Sequence, residues 1–229
     1  VHRWVLAAGA ATLVAVSACT GSDSAEGPPV LDPGAPGDSP SPASEERLES
    51  AAEDGGHNEA DVEYMAKMIE HHKQALEMSE LAEDRAEHDG VKGIADRISV
   101  AQSSEIEAME GWLETNVYGP AKENPNHQNY CGLDEEGTSH HDEDCPTDVD
   151  HSDMPGMATE AELAELAEVT GAEFDELFVE LMVDHHEGGV SMAEDILVDG
   201  DSSAIRTMAS DVIAEQRAEI ARMRGMIED

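Results

Sequence analysis

The chain has 229 residues, 53 of them acidic and 12 basic, for a net charge of −41 at pH 7, and only 3% are aromatic. That charge repels a nucleic-acid phosphate backbone and an anionic membrane surface, so nucleic acid is excluded as a partner; metal ions or cationic partners suit it better. The core must come from Leu, Ile, Val, Ala and the 11 methionines, and solubility outside the cell is the simplest account of the acidity.

Residues 1–19 read as a lipoprotein signal peptide. Arg3 supplies a positive start, and Trp4 to Val16 is an apolar run too short to span a membrane. It ends in "VSAC", where Cys19 is the expected lipidation site, against the alternative of plain secretion with an incidental cysteine. The protein is therefore expected outside the cytoplasm, anchored by lipid to the outer face of the cell membrane. Residues 20–57, rich in Ser, Pro, Gly and acids, are expected to be a disordered tether.

Residues 58–229 read as the folded domain. A helical apolar period runs from about Glu59 to Glu87, carried by Val62, Met65, Met68, Ile69, Leu76 and Leu81, and breaks at "HDG". A second helix follows from about Val91 to Asn116. Residues 117–171 form a long acidic, His-rich loop with a short helix after Thr159, where Thr159 and Glu162 fit a capping box. Helices then recur at about Ala172 to Val198 and Ser202 to Glu228, separated by "DGDSS".

The recurrence is a duplication. At a constant offset of 114 (185 − 71), Asp61 falls on Asp175, Met68 on Met182, His71 on His185, His72 on His186 and Met78 on Met192. Gln102, Glu105 and Met109 fall on Gln216, Glu219 and Met223. Two helical hairpins (58–116 and 172–229), each with one apolar face, predict an all-α four-helix bundle.

Each repeat places a His-His pair between two methionines. Met68 lies within one turn of His71 and His72, and Met78 lies two turns beyond His71; Met182 and Met192 flank His185 and His186 likewise. If the hairpins pack face to face, imidazole, thioether and carboxylate converge at two related places. Imidazole serves copper, zinc, nickel or iron, and thioether favours Cu(I), so copper is the first metal to consider. Glu105 and Glu219, with Gln102 and Gln216, would orient the imidazoles. The alternative is that the histidines are core residues hydrogen-bonded to those carboxylates and the methionines are core filler.

The loop offers further ligands in His140, His141 and His151, followed by Met154 and Met157. Cys131 and Cys145 read as a disulfide in an exported protein, with a thiolate metal site as the alternative.

The stretches "DVEYMAKMIEHHKQALEMSELA", "AQSSEIEAMEGWL", "MPGM" and "FDELFVELMVDHHEGGVSMAEDIL" resemble the bacterial "domain of unknown function 305" family. The resemblance implies a ferritin-like four-helix bundle in an exported protein and, as in some members, copper binding. It singles out His71, His72, Met78, His185, His186 and Met192, with Met154 and Met157 in "MPGM". The second copy departs slightly from the family's "HHxGA" with "HHEGG", and the first has "HHKQA", with Gln74 where the family often has Gly or another small residue.

The chain is thus expected to bind a copper ion for sequestration, tolerance or delivery rather than to catalyse. A metal-free envelope module acting through a protein partner or as a homo-oligomer is the alternative. A di-metal oxidase is a weaker third reading, because neither His-His pair carries the Glu-x-x-His of ferritin-like di-metal sites.

Overall fold

The structure, a computed structural model, describes residues 31–32, 41–42, 56–118, 147 and 154–227. The expected lipidation site Cys19, the Cys131 and Cys145 pairing, and the loop ligands His140, His141 and His151 lie outside these residues. Contacts divide the chain into units 1–48 and 49–229. In the first, β1 (Leu31–Asp32) pairs antiparallel with β2 (Ser41–Pro42), Leu31 facing Pro42.

The regular elements described in the second unit are all helices. Asn58 caps α1 (Glu59–Glu80) through a capping box with Asp61. The helix expected to run on to Glu87 instead bends at Leu81 into the short α2 (Ala82–Arg85). His88 then caps α3 (Asp89–Leu113), its Nδ1 accepting from the Gly90 N–H at 3.0 Å. Past Leu113 the helix widens into a π turn over Glu114–Tyr118. There Thr115 Oγ1 donates to the Gly111 carbonyl and Asn116 Nδ2 to the Trp112 carbonyl, competing with the backbone ladder. The expected Thr159–Glu162 capping box starts α4 (Glu160–Glu168). The second hairpin is α5 (Ala172–Asp199) and α6 (Ser203–Ile227), with Ser202 Oγ accepting from the Ile205 N–H at the break between them.

The duplication is preserved in the tertiary hydrogen bonds. Asp61, buried in the first turn of α1, accepts from the N–H groups of Asp201 and Ser202 at the break of the other hairpin. Its counterpart Asp175 on α5 accepts from Glu87 and His88, which are Asp201 and Ser202 shifted back by 114. Each carboxylate thus satisfies orphan donors in the partner hairpin and fixes the hairpins head to tail.

Helix α1 packs along α3, and α5 along α6; the hairpins meet chiefly through α1 and α5, while α3 and α6 approach less closely. This is a four-helix bundle, as the periodicity predicts, with α2 and α4 as short additions. The core lies in two separate apolar clusters. One joins Val62, Met65, Met68 and Ile69 of α1 to Ile106, Met109, Met192, Ile196, Ile205 and Val212. The other joins Ala75 and Met78 to Ile94, Ile98, Phe174, Phe178, Met182 and Met223. Between these stretches of α1 and α5 lie His71, His72, His185 and His186, all fully buried.

Candidate metal centre

The break in the apolar core is a polar layer. An antiparallel pairing of α1 and α5 brings the two His-His pairs to the same level of the bundle. The rings of His71 and His185 touch, with centroids 3.7 Å apart and planes tilted by 33°. The sequence predicts two related clusters; the structure brings their histidines together where the two repeats meet.

Each imidazole uses Nε2 in the same way. His72 Nε2 meets Glu105 Oε2 at 2.7 Å, and His186 Nε2 meets Glu219 Oε2 at 2.9 Å. His185 Nε2 reaches the backbone carbonyl of His71 at 2.9 Å, and His71 Nε2 reaches that of Pro155 at 3.1 Å. A carbonyl or a carboxylate accepts only, so Nε2 carries the proton in each ring. Nδ1 of all four is buried and has no hydrogen-bond partner. The same holds for both amide atoms of Gln102 and of Gln216, for Glu219 Oε1 and for the Tyr64 hydroxyl. Such a concentration of unsatisfied buried polar atoms is unusual and calls for a ligand or ordered water.

The sequence-derived residues divide accordingly. The four histidines, Glu105, Glu219, Gln102 and Gln216 share the layer. Met68, Met192 and Met154 are buried in the first apolar cluster, Met157 packs against it, and Met78 and Met182 belong to the second. The methionines thus flank the layer from both sides along α1 and α5. Among the described residues no three His, Cys, Asp or Glu side chains are grouped to hold one ion. A site built on these imidazoles therefore needs thioether or amide donors to complete it.

Three participants were not legible as site residues. The Pro155 carbonyl is one, and a backbone atom has no sequence signature. Gln74 is the second, accepting from the Ala158 N–H at 2.7 Å and donating to its carbonyl at 2.9 Å. Tyr64 is the third; burial, and then the Glu105 charge, raise its pKa and keep it a phenol. The departure at Gln74 has its explanation here, since the longer side chain fastens the segment before α4. Gly188 and Gly189 also find theirs. A Cβ on Gly188 would lie 1.9 Å from the Pro155 carbonyl oxygen, and one on Gly189 would lie 2.4 Å from Gln216 Oε1.

Electrostatics hold the central pair neutral. Burial, followed by the neighbouring His72, pushes the His71 pKa down from 6.5 to about 3, against the hydrogen bond to Pro155; His186 adds to the lowering. Burial, then His71, His186 and His72, hold His185 well below 6.5. Both rings protonate freely in the unfolded chain and resist protonation in the fold. The fold therefore loses no stability to their protonation above pH 6.5, and loses it progressively as the pH falls from there, toward 3 in the case of His71. Well below the unfolded pKa the loss approaches about 1.4 kcal/mol per pH unit for each histidine. The metal-free protein should therefore show a falling urea midpoint from about pH 6.5 to about pH 5, and a His71→Leu/His185→Leu variant should lose most of that dependence. An equal dependence in both proteins would mean that the central rings are charged in the fold.

The model for the family "Domain of unknown function (DUF305)" matches residues 61–227. Among solved structures, a DUF305 protein of Streptomyces coelicolor named as a secreted protein is 28% identical, at a TM-score of 0.55 over 73% of this chain and 91% of that one. A DUF305 fragment from Deinococcus radiodurans is 25% identical, at a TM-score of 0.56 over 76% and 98%. CopM in its Cu(II)-bound form is 24% identical, at a TM-score of 0.53 over 73% and 95%, a likeness that extends to the fold. No curated protein matches the chain.

Proposed function

The chain belongs to the DUF305 family, and on that premise we propose that it is an exported, lipid-anchored protein that binds copper in the histidine layer, for sequestration, tolerance or delivery. One observation carries this reading: four buried imidazoles are each held at Nε2 by an acceptor, with Nδ1 left unpartnered. Metal-binding histidines have this arrangement, in which an outer acceptor fixes the tautomer and raises the basicity of the ligating nitrogen.

The donor chemistry selects among metals. Zinc favours carboxylate and thiolate beside imidazole; here the carboxylates of Glu105 and Glu219 are engaged at Nε2, and the buried sulfur donors that flank the histidines along α1 and α5 are Met68, Met78, Met182 and Met192. Thioether with imidazole suits Cu(I). Solved forms of CopM hold Cu(I), Cu(II) and silver, which supports the same choice for a chain of this fold. Because His71 and His185 are in ring contact, the layer takes about one ion rather than two. The copper is cargo: the residues hold it, and no group in the layer is poised as a nucleophile. The net charge of −41 draws cations to the surface. Cys19 is the proposed lipid anchor, and Cys131 with Cys145 the proposed disulfide. His140, His141 and His151, with Met157, are proposed as weaker capture ligands.

A second reading is a metal-free envelope module. The complete burial of the histidines favours it, as does a groove of about 620 Å³ lined in part by Val91, Val179, Val183 and Met226. Competitive titration of the protein with Cu(I) and Cu(II), with zinc as control, separates the two. The copper reading expects about one tight Cu(I) equivalent and weaker zinc. Binding no tighter than that of a generic His-rich peptide would end it and send attention to the groove.

A further inference from the structure

The twofold symmetry of the layer fails at its central pair. His185 donates to the backbone of its counterpart His71, but His71 donates to Pro155, not to His185. Pro155 belongs to the segment Met154–Ala158, which bridges α1 and α5 at the level of the layer. This segment is fastened at each of its parts. Met154 is buried in the first apolar cluster. Gly156 has φ +77°, a left-handed conformation suited to glycine, and a Cβ there would lie 2.3 Å from the Asp184 carbonyl oxygen. Gly188 receives the Pro155 carbonyl so closely that a Cβ would come within 1.9 Å of its oxygen and 2.4 Å of its carbon. Ala158 is clamped in both directions by Gln74, one turn beyond His71 on α1.

Pro155 itself is exposed, although its carbonyl reaches a fully buried imidazole. A single thickness of backbone therefore separates His71 from solvent on this side. Proline has no N–H, so the segment lacks one donor that could tie it elsewhere. Two glycines on opposite sides, in backbone contact, let the strap lie flush, so its lifting is opposed mainly by the Gln74 clamp and the burial of Met154.

We infer that the Met154–Ala158 strap positions His71 and closes the layer: its carbonyl fixes the ring with Nδ1 turned to the ligand, and its lifting off Gly188 sets the rate of metal entry and release. The metal half rests on the copper reading above; the positioning half does not. Pro155, Gly156, Gly188 and Gln74 act through His71 and are positioning residues, not ligands.

The test has one readout without metal and one with it, both on the full-length protein. In the metal-free protein the His71 Nε2–H proton should be protected and visible by NMR, and so should that of His186, which bonds to Glu219 and serves as the internal reference. Gly188→Ala must displace the Pro155 carbonyl, and Gln74→Ala removes the clamp with no steric clash, so it remains informative if the first variant folds poorly. Both should speed exchange of the His71 proton about ten-fold or more, leave that of His186 unchanged, and speed Cu(I) release to a chelator by a similar factor. Gln74→Glu, which still accepts from the Ala158 N–H, should fall between. If the wild type holds no Cu(I) but the variants still expose His71 selectively, the copper reading fails and the positioning role stands. Folded variants with unchanged His71 exchange and unchanged Cu(I) release would overturn the strap inference.

Discussion

Replacing His71 and His185 together with leucine should lower Cu(I) affinity by about 100-fold or more, about 2.7 kcal/mol, while leaving the metal-free fold as stable as before or more so. The two effects have opposite signs for one reason. Both rings are fully buried and hydrogen-bonded only at Nε2, so in the absence of metal each imidazole carries a desolvation cost at Nδ1 that nothing offsets. Leucine removes that cost at similar volume, with repacking worth less than about 1.5 kcal/mol. The acceptors left behind are modestly affected: one is a carbonyl within α1, and the other belongs to exposed Pro155. With metal, the same change removes both central ligands. Replacing His140 and His141 should change affinity far less. Isothermal titration for Cu(I) and urea unfolding of the metal-free protein give both halves; a loop-pair variant that loses more affinity than the core pair would displace the site from the layer.

The outer histidines should behave differently from each other, although the repeat makes them equivalent. His186→Leu should cost about 3–5 kcal/mol of stability at pH 7, because the carboxylate left behind is buried. His72→Leu should cost about 1 kcal/mol, close to the range of exposed ion pairs. The deciding quantity is the exposure of the partner: the Glu219 side chain is 2% exposed and that of Glu105 is 21%. Solvent can take over the charge of Glu105 but not that of Glu219. One consequence makes the comparison specific. Adding Glu219→Gln to His186→Leu should recover much of the loss. Equal losses in the two single variants would show that Glu219 is as well solvated as Glu105.

Glu215 belongs to the same electrostatic picture. Its pKa is raised by partial burial and then by the charges of Glu105 and Glu219. The side where α3 and α6 approach less closely thus gathers carboxylates, while the strap closes the side of α1 and α5. Three carboxylates, Glu105, Glu215 and Glu219, gather beside the layer.

The sequence alone determined the local and the repeated. Apolar periods and capping residues placed the limits of four long helices to within a few residues, except the end of the first, which stops at Glu80 rather than near Glu87, because most helix limits follow from side chains that cap within one turn. The offset of 114 gave the equivalence of the hairpins and named Glu105 and Glu219 as acceptors for the imidazoles; that the outer rings, His72 and His186, are the ones they meet came from the structure. Only the tertiary structure decided how the two repeats meet. The contact of His71 with His185, the assignment of Met68 and Met192 to one cluster and of Met78 and Met182 to the other, and the difference in exposure between Glu105 and Glu219 all depend on the register of one hairpin against the other. Periodicity gives the face of a helix but not its height against a neighbour. The strap lay further still from view, because its central contact is a backbone carbonyl, which every residue has and no residue type announces.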